Sequence, residues 1–241
     1  MLSKNEIKYI QSLCHKKQRQ KDGLFIAEGS KLVDELIHSD YTVKKIYGTA
    51  NWVRNHTAVV ETITVSDLEL EKISLLQSPN EVVAIAVQKK ITVSPVLTQN
   101  LTIVLDGIQD PGNLGTIIRI ADWFGIKQII AGMDTVELYN PKVIQGSMGS
   151  FLRINMWYQS IEVLLKNSSV PVYGALLQGN NIHNQESITE GILVIGNESK
   201  GISEGLLPFI DHPVTIPRIG GAESLNAAVA TGIILSHLKK S

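Results

Sequence analysis

Hydrophobic residues recur along this chain with two periods that take turns. Behind Ser3-Lys4-Asn5-Glu6, an S-x-x-E capping pattern, Ile7, Ile10 and Leu13 fall at helical spacing and predict a short opening helix. Residues 15–23 (HKKQRQKDG) carry no apolar period and read as a basic, polar loop. Leu24-Phe25-Ile26-Ala27 predicts a strand, and Gly29-Ser30 leads into a helix with Leu32, Val33, Leu36 and Ile37 on one face. Further strands are predicted at Val43–Tyr47 and Glu61–Val65, a helix at Ser66–Ile73, and a β-branched run of buried-strand length at Glu81–Val87. Strands alternating with helices over residues 1–88 make a small α/β domain.

Residues 89–100 (KKITVSPVLTQN) contain Ser94-Pro95 and have no helical period, so they read as a linker. A second α/β series fills 101–241. Its strands are predicted at 101–105, 127–131, 171–176, 191–196 and 213–216, and its helices near 114–124, 140–148, 160–167 and 224–238. That order implies a mostly parallel sheet with helices on both faces.

Composition narrows the class. Of 241 residues, 44% are hydrophobic and 19% charged, which excludes wholesale disorder. No apolar run approaches the ~18 residues of a membrane span, and the polar first six residues lack the centre of a secretory signal. Cys14 is the single cysteine, so no internal disulfide can form; a reducing, cytoplasmic location is expected. The net charge of −1 argues against a nucleic-acid binder until the chain is divided. Residues 1–21 carry Lys4, Lys8, Lys16, Lys17, Arg19 and Lys21 against Glu6 alone, a net +5 that leaves −6 on the rest. Such asymmetry suits a basic contact surface for phosphates, or a solvated helix face followed by a loop.

Three glycine-rich stretches follow predicted strands of the second series, where a parallel sheet places its ligands. In the first, Leu105-Asp106-Gly107-Ile108-Gln109-Asp110-Pro111-Gly112-Asn113 turns into a helix; Asn113 suits an N-cap. Arg119, inside that otherwise apolar helix, is either on its solvated side or an inward charge in need of an anion. The second runs Ile195-Gly196-Asn197-Glu198-Ser199-Lys200-Gly201, a strand end with a carboxylate between glycines. The third runs Ile216-Pro217-Arg218-Ile219-Gly220-Gly221-Ala222-Glu223-Ser224-Leu225-Asn226, where Ser224 suits the cap of a helix dense in small residues. No G-x-G-x-x-G opens a helix, no G-x-x-x-x-G-K-[ST] occurs, and G-x-S-x-G is absent. The six histidines show no metal-ligand spacing, so no metal is expected. These gaps weigh against dehydrogenase, kinase and serine-hydrolase chemistry.

In order, DPGNLGTIIR-ADWFG, VIGNESKGIS and IPRIGGAESLNAAVATGIIL resemble the three motifs of the SpoU (TrmH-like) RNA ribose 2′-O-methyltransferases of the SPOUT superfamily, over about 101–241. Residues 1–88, with HKKQRQKDGLFIAEG and SPNEVVAIAV, resemble the small RNA-binding substrate domain that precedes many members. The resemblance implies a deep C-terminal trefoil knot, S-adenosyl-L-methionine as cofactor, and a homodimer formed through the C-terminal domain. It implies methylation of a ribose 2′-hydroxyl, in rRNA before tRNA. By motif position the catalytic group would be Asn113, Arg119, Glu198, Ser224 and Asn226. Cofactor contacts would come from Gly196, Ile216 and Leu225, with the Leu176-Leu177-Gln178-Gly179 loop adding Leu176, Leu177 and Gly179. Lys16, Lys17, Arg19 and Lys21 would meet RNA. Ser199 stands where many members carry a smaller residue such as glycine. The alternative from another class is a non-catalytic RNA-binding paralogue of the same fold.

Overall fold

A computed structural model describes residues 1–56 and 60–239. The chain divides into two units: Met1–Lys90 with Tyr139–Leu152, and Ile91–Leu138 with everything from Arg153 onward.

The first unit opens with α1 (Lys4–Ser12), where the Ser3 side chain accepts from Glu6 N as the capping pattern predicts. The reciprocal half of the box is absent, because Glu6 instead accepts from Tyr47 and Lys45 at 2.8 and 3.1 Å. Residues expected to form a basic loop are helical: α2 (Lys16–Asp22) ends at a left-handed Gly23. Its inward face consists of one buried residue, Arg19, so no apolar period announced it. After β1 (Leu24–Glu28) and α3 (Ser30–Ile37) come β2 (Val43–Thr49), α4 (Ala50–Asn55), β3 (Thr62–Val65), α5 (Asp67–Ile73) and β4 (Val82–Val87). The short α4 was not predicted; only Trp52 is buried in it, too little for a period to register. The sheet runs β1-β4-β2-β3, with β4 antiparallel to both neighbours and β2 parallel to β3. Ile10, Leu13, Ile26, Tyr47, Leu70 and Ile73 form its core.

The excursion 139–152 completes that unit. It carries α7 (Pro141–Ser147), which packs on β1. Phe25 of β1 meets Tyr139 and Phe151 at ring separations of 4.8 and 5.8 Å, and Tyr41 meets Phe151 at 5.6 Å.

The second unit holds a six-stranded, wholly parallel sheet. Its strands are β5 (Leu101–Leu105), β6 (Gln128–Ala131), β7 (Asn155–Tyr158), β8 (Val172–Asn181), β9 (Gly191–Ile195) and β10 (His212–Thr215), in spatial order β10-β8-β9-β5-β6-β7. Every residue of β5, β6 and β9 is buried, so both faces are covered. Val104, Ile130, Val172 and Val194 pack with Ile161 and Leu165 of α8 (Ile161–Lys166). Two longer helices, α6 (Pro111–Trp123) and α9 (Ala227–Leu238), pack on one another. The edge strand β7 escaped the sequence reading because three of its four residues are only half-buried and the alternation is weak. The stretch 91–100 has no regular element, yet Val96 exchanges two hydrogen bonds with Gln128 and Val93 O accepts from Trp157.

Candidate active site

The site begins where β5 and β9 end side by side, Leu105 in register with Ile195. Asp106 N continues the ladder to Ile195 O, and the mostly buried Asp106 carboxylate accepts from Ser203 N at 2.6 Å. Asn197 Nδ2 donates to Gly107 O at 2.7 Å, while Asn197 Oδ1 accepts from Ser199 N and Lys200 N. The turn closes on itself through paired Asn197 and Gly201 backbone bonds. A Cβ on Gly196 would overlap the Gly201 carbonyl group, so only glycine fits there. Asp106 and Asn197 thus fasten the second motif to the first. Neither was singled out from the sequence, although a polar residue immediately after a buried strand is a usable signal for both.

The helix caps differ from expectation. Asp110, not Asn113, caps α6, accepting from Asn113 N at 2.8 Å, with Pro111 at the first helical position. Asn226, not Ser224, caps α9, accepting from Ala228 N and Val229 N. Asp-Pro was the legible signature of the first cap. Moving the cap from Asn113 releases its side chain for the site: Nδ2 donates to Glu198 Oε1 at 2.8 Å, and Oδ1 accepts from Asn226 Nδ2 at 2.8 Å. One carboxamide therefore joins residues 85 and 113 positions away, and all three motif segments meet at it.

The other predicted residues are distributed around this junction. Ser224 is exposed in the segment before α9. Arg119 is exposed on α6, six residues beyond Asn113 and so about two-thirds of a turn round the helix. The 176–179 stretch is strand rather than loop, because β8 continues to Asn181 by pairing with β10 after a register shift at Pro213/Val214. Leu177 is 75% exposed and its carbonyl accepts from Thr215 Oγ1; Gly179 lies against the Pro213 backbone, with no room for a side chain. Leu176 and Ile216 are half-buried and Leu225 is 47% exposed. Ile219 is fully exposed, and side chains added at Gly220 or Gly221 would meet only open space. These partly covered leucines and isoleucines, with open glycines beside them, suit an adenine-bearing sulfonium cofactor, which needs apolar walls and main-chain contacts. Among the described residues, no three His, Cys, Asp or Glu side chains converge as metal ligands, and no helix is long and apolar enough to cross a membrane.

At the basic N-terminus, Lys16, Lys17 and Lys21 are exposed, as a phosphate-contacting role requires. Arg19 is a correction. It is 1% exposed, and its Nη1 donates to Leu13 O and Cys14 O at the end of α1, so it cannot also reach a phosphate.

Parallel sheet, glycine turns and an amide-linked junction at the strand ends are the makeup of a ligand-binding α/β domain, to which a second small α/β unit is joined. The chain belongs to the SpoU rRNA Methylase family, whose pattern it matches over residues 100–236; residues 4–84 match the MRM3-like substrate binding domain. It is 30% identical to the 23S rRNA (guanosine(2553)-2′-O)-methyltransferase RlmP of Bacillus subtilis strain 168, over 98% of this chain and 97% of that one. A TrmH-family protein from Porphyromonas gingivalis superposes with a TM-score of 0.88 at 36% identity, covering 99% and 98% of the two chains. An AdoMet-bound rRNA methyltransferase from Sinorhizobium meliloti superposes at 0.85 with 28% identity, covering 99% and 96%.

Proposed function

We propose that this chain transfers a methyl group from S-adenosyl-L-methionine to a ribose 2′-hydroxyl of ribosomal RNA. The observation that carries the reading is the Glu198–Asn113–Asn226 junction, which unites the three family motifs at the carboxyl ends of β5 and β9. Leu176, Leu177, Gly179, Gly196, Ile216 and Leu225 would hold the cofactor, which when bound supplies an electrophilic methyl group. A C-terminal trefoil knot is part of the reading, supported by β10 returning beside β8 and α9 lying against α6. Residues 1–88, with the excursion 139–152 packed on them, act as the RNA-binding domain, 89–100 as the linker and the rest of 101–241 as the methyltransferase domain, in the cytoplasm.

The chain's own task is alignment and charge handling. A ribose hydroxyl must lose its proton as it attacks, and a guanidinium, always protonated, is no base. Arg119 instead holds the phosphate beside the target ribose and steadies negative charge growing on the 2′-oxygen. We assign proton uptake to water or to a polar neighbour, either Glu198, which Asn113 orients, or Ser224. Arg119 lies away from Asn113 on α6, in the stripe Thr116–Arg119–Trp123 whose tryptophan is 85% exposed. We infer a homodimer through the C-terminal domain in which that stripe faces the second copy and Arg119 serves the opposite site.

Labelled-methyl transfer to total RNA, followed by mapping of ribose-methylated positions, tests the activity. Label is expected in rRNA; protein that binds the cofactor yet labels no RNA would be the non-catalytic paralogue. Arg119→Lys should remove most of the rate while leaving cofactor affinity nearly intact.

A further inference from the structure

Two cavities of about 400 Å³ open on the N-terminal unit. One is rimmed by Asp67, Glu71 and Glu81, an acidic mouth that repels a phosphate chain. The other lies between the end of β1, the residues after α5, and α7, and its chemistry is different. Ile26, Leu75, Leu76 and Ile144 give it apolar walls, Gln145 offers an amide at the exposed rim, and Lys142 adds a cation.

We propose that this second cavity receives one unstacked nucleobase of the RNA substrate, with Gln145 reading its edge and Lys142 meeting the adjoining phosphate. The inference rests on the RNA methyltransferase reading above and extends it to a recognition site remote in sequence from the motifs. Apolar walls with a few polar groups are the makeup of small-ligand sites, and single-stranded RNA is read through bases splayed into such slots. Two further features fit. Glu28 lines the cavity although it is only 5% exposed; it accepts from Ser74 Oγ at 2.5 Å and Leu75 N at 2.9 Å, one bond per oxygen, so each oxygen retains a lone pair. Burial pushes its carboxyl above the usual range, which lessens the repulsion an RNA would meet. Met148, also in the lining, holds a left-handed backbone (φ 48°) and is 51% exposed, a combination uncommon for a large apolar residue.

The test uses full-length protein with the cofactor site saturated by S-adenosylhomocysteine, so that adenosine groups cannot bind there. AMP, GMP, CMP and UMP are offered in turn and followed by saturation-transfer NMR, for wild type and for Gln145→Trp, which plugs the slot from an exposed position. At least one nucleotide should show transfer to wild type and none to the plugged variant. In parallel, the KM of Gln145→Trp for transcribed 23S rRNA should rise about tenfold with kcat nearly unchanged, the scale of one base losing its apolar walls and an amide hydrogen bond. Thermal stabilisation by S-adenosylmethionine, equal in both proteins, establishes that the variant is folded. Wild type that binds no nucleotide, or a plugged variant that keeps the nucleotide signal or the wild-type KM, overturns the proposal. If wild type moves no methyl group into RNA, the activity reading fails, and the nucleotide signal still decides the cavity.

Discussion

Arg19 shows how far one side chain can mislead. In the sequence it is one cation in a basic run; in the fold its guanidinium, from a buried position, holds the Leu13 and Cys14 carbonyls that follow α1. Arg19→Ala should therefore lower the urea unfolding midpoint, by an amount equivalent to about 2–4 kcal/mol, since it strips buried acceptors of their donor and removes packing. Lys16→Ala, Lys17→Ala and Lys21→Ala together should leave that midpoint in place and weaken RNA binding instead. Their signature is a plot of log affinity against log salt whose slope flattens by about 0.7–0.9 per lost phosphate contact. Position in a charge run could be read from the sequence; which cation turns inward could not, because it depends on where α1 ends relative to α2.

At the scale of elements, caps and ties separate structural from chemical roles. Asn226→Ala should cost about 1 kcal/mol of stability through the lost α9 cap, and it should also lower activity by releasing Asn113. Ser224→Ala, outside the cap, should change only the rate; equal denaturation midpoints for Ser224→Ala and wild type would check this. Glu28 ties the end of β1 to Ser74 and Leu75 after α5. Its folded-state pKa is raised by burial, so the stability it contributes is full below the ordinary carboxylate range and drains away as pH climbs through the raised value. Glu28→Gln, which stays neutral, should gain on wild type in urea midpoint as pH rises above the ordinary carboxylate range of about 4. Most strands and longer helices were legible because their buried faces are apolar at fixed periods. The elements that were missed, α2, α4 and β7, each bury at most one or two side chains, too few to write a period into the sequence. The site was legible as three separate turns, and Asp110-Pro111 carried the first cap in plain view; the meeting of Glu198, Asn113 and Asn226 was not legible, since it rests on contacts more than 80 residues apart.

For the molecule as a whole, the proposed dimer makes a sharp forecast. Arg119→Ala and Asn113→Ala should each be nearly inactive alone. Mixed in equal amounts and allowed to exchange subunits, they should recover about a quarter of the wild-type rate, because half the dimers are mixed and each then has one intact site. Light scattering should report the mass of two chains; a monomer, or mixtures that stay inactive, would restrict the chemistry to residues of one chain. The Asn113 amide has a further consequence in time. Its two partners lie 85 and 113 positions further along the chain, so a growing polypeptide cannot assemble this junction until the turn after β9 and the cap of α9 have both left the ribosome. On the proposed function, methyl transfer to RNA cannot begin on a nascent chain before its third motif has emerged.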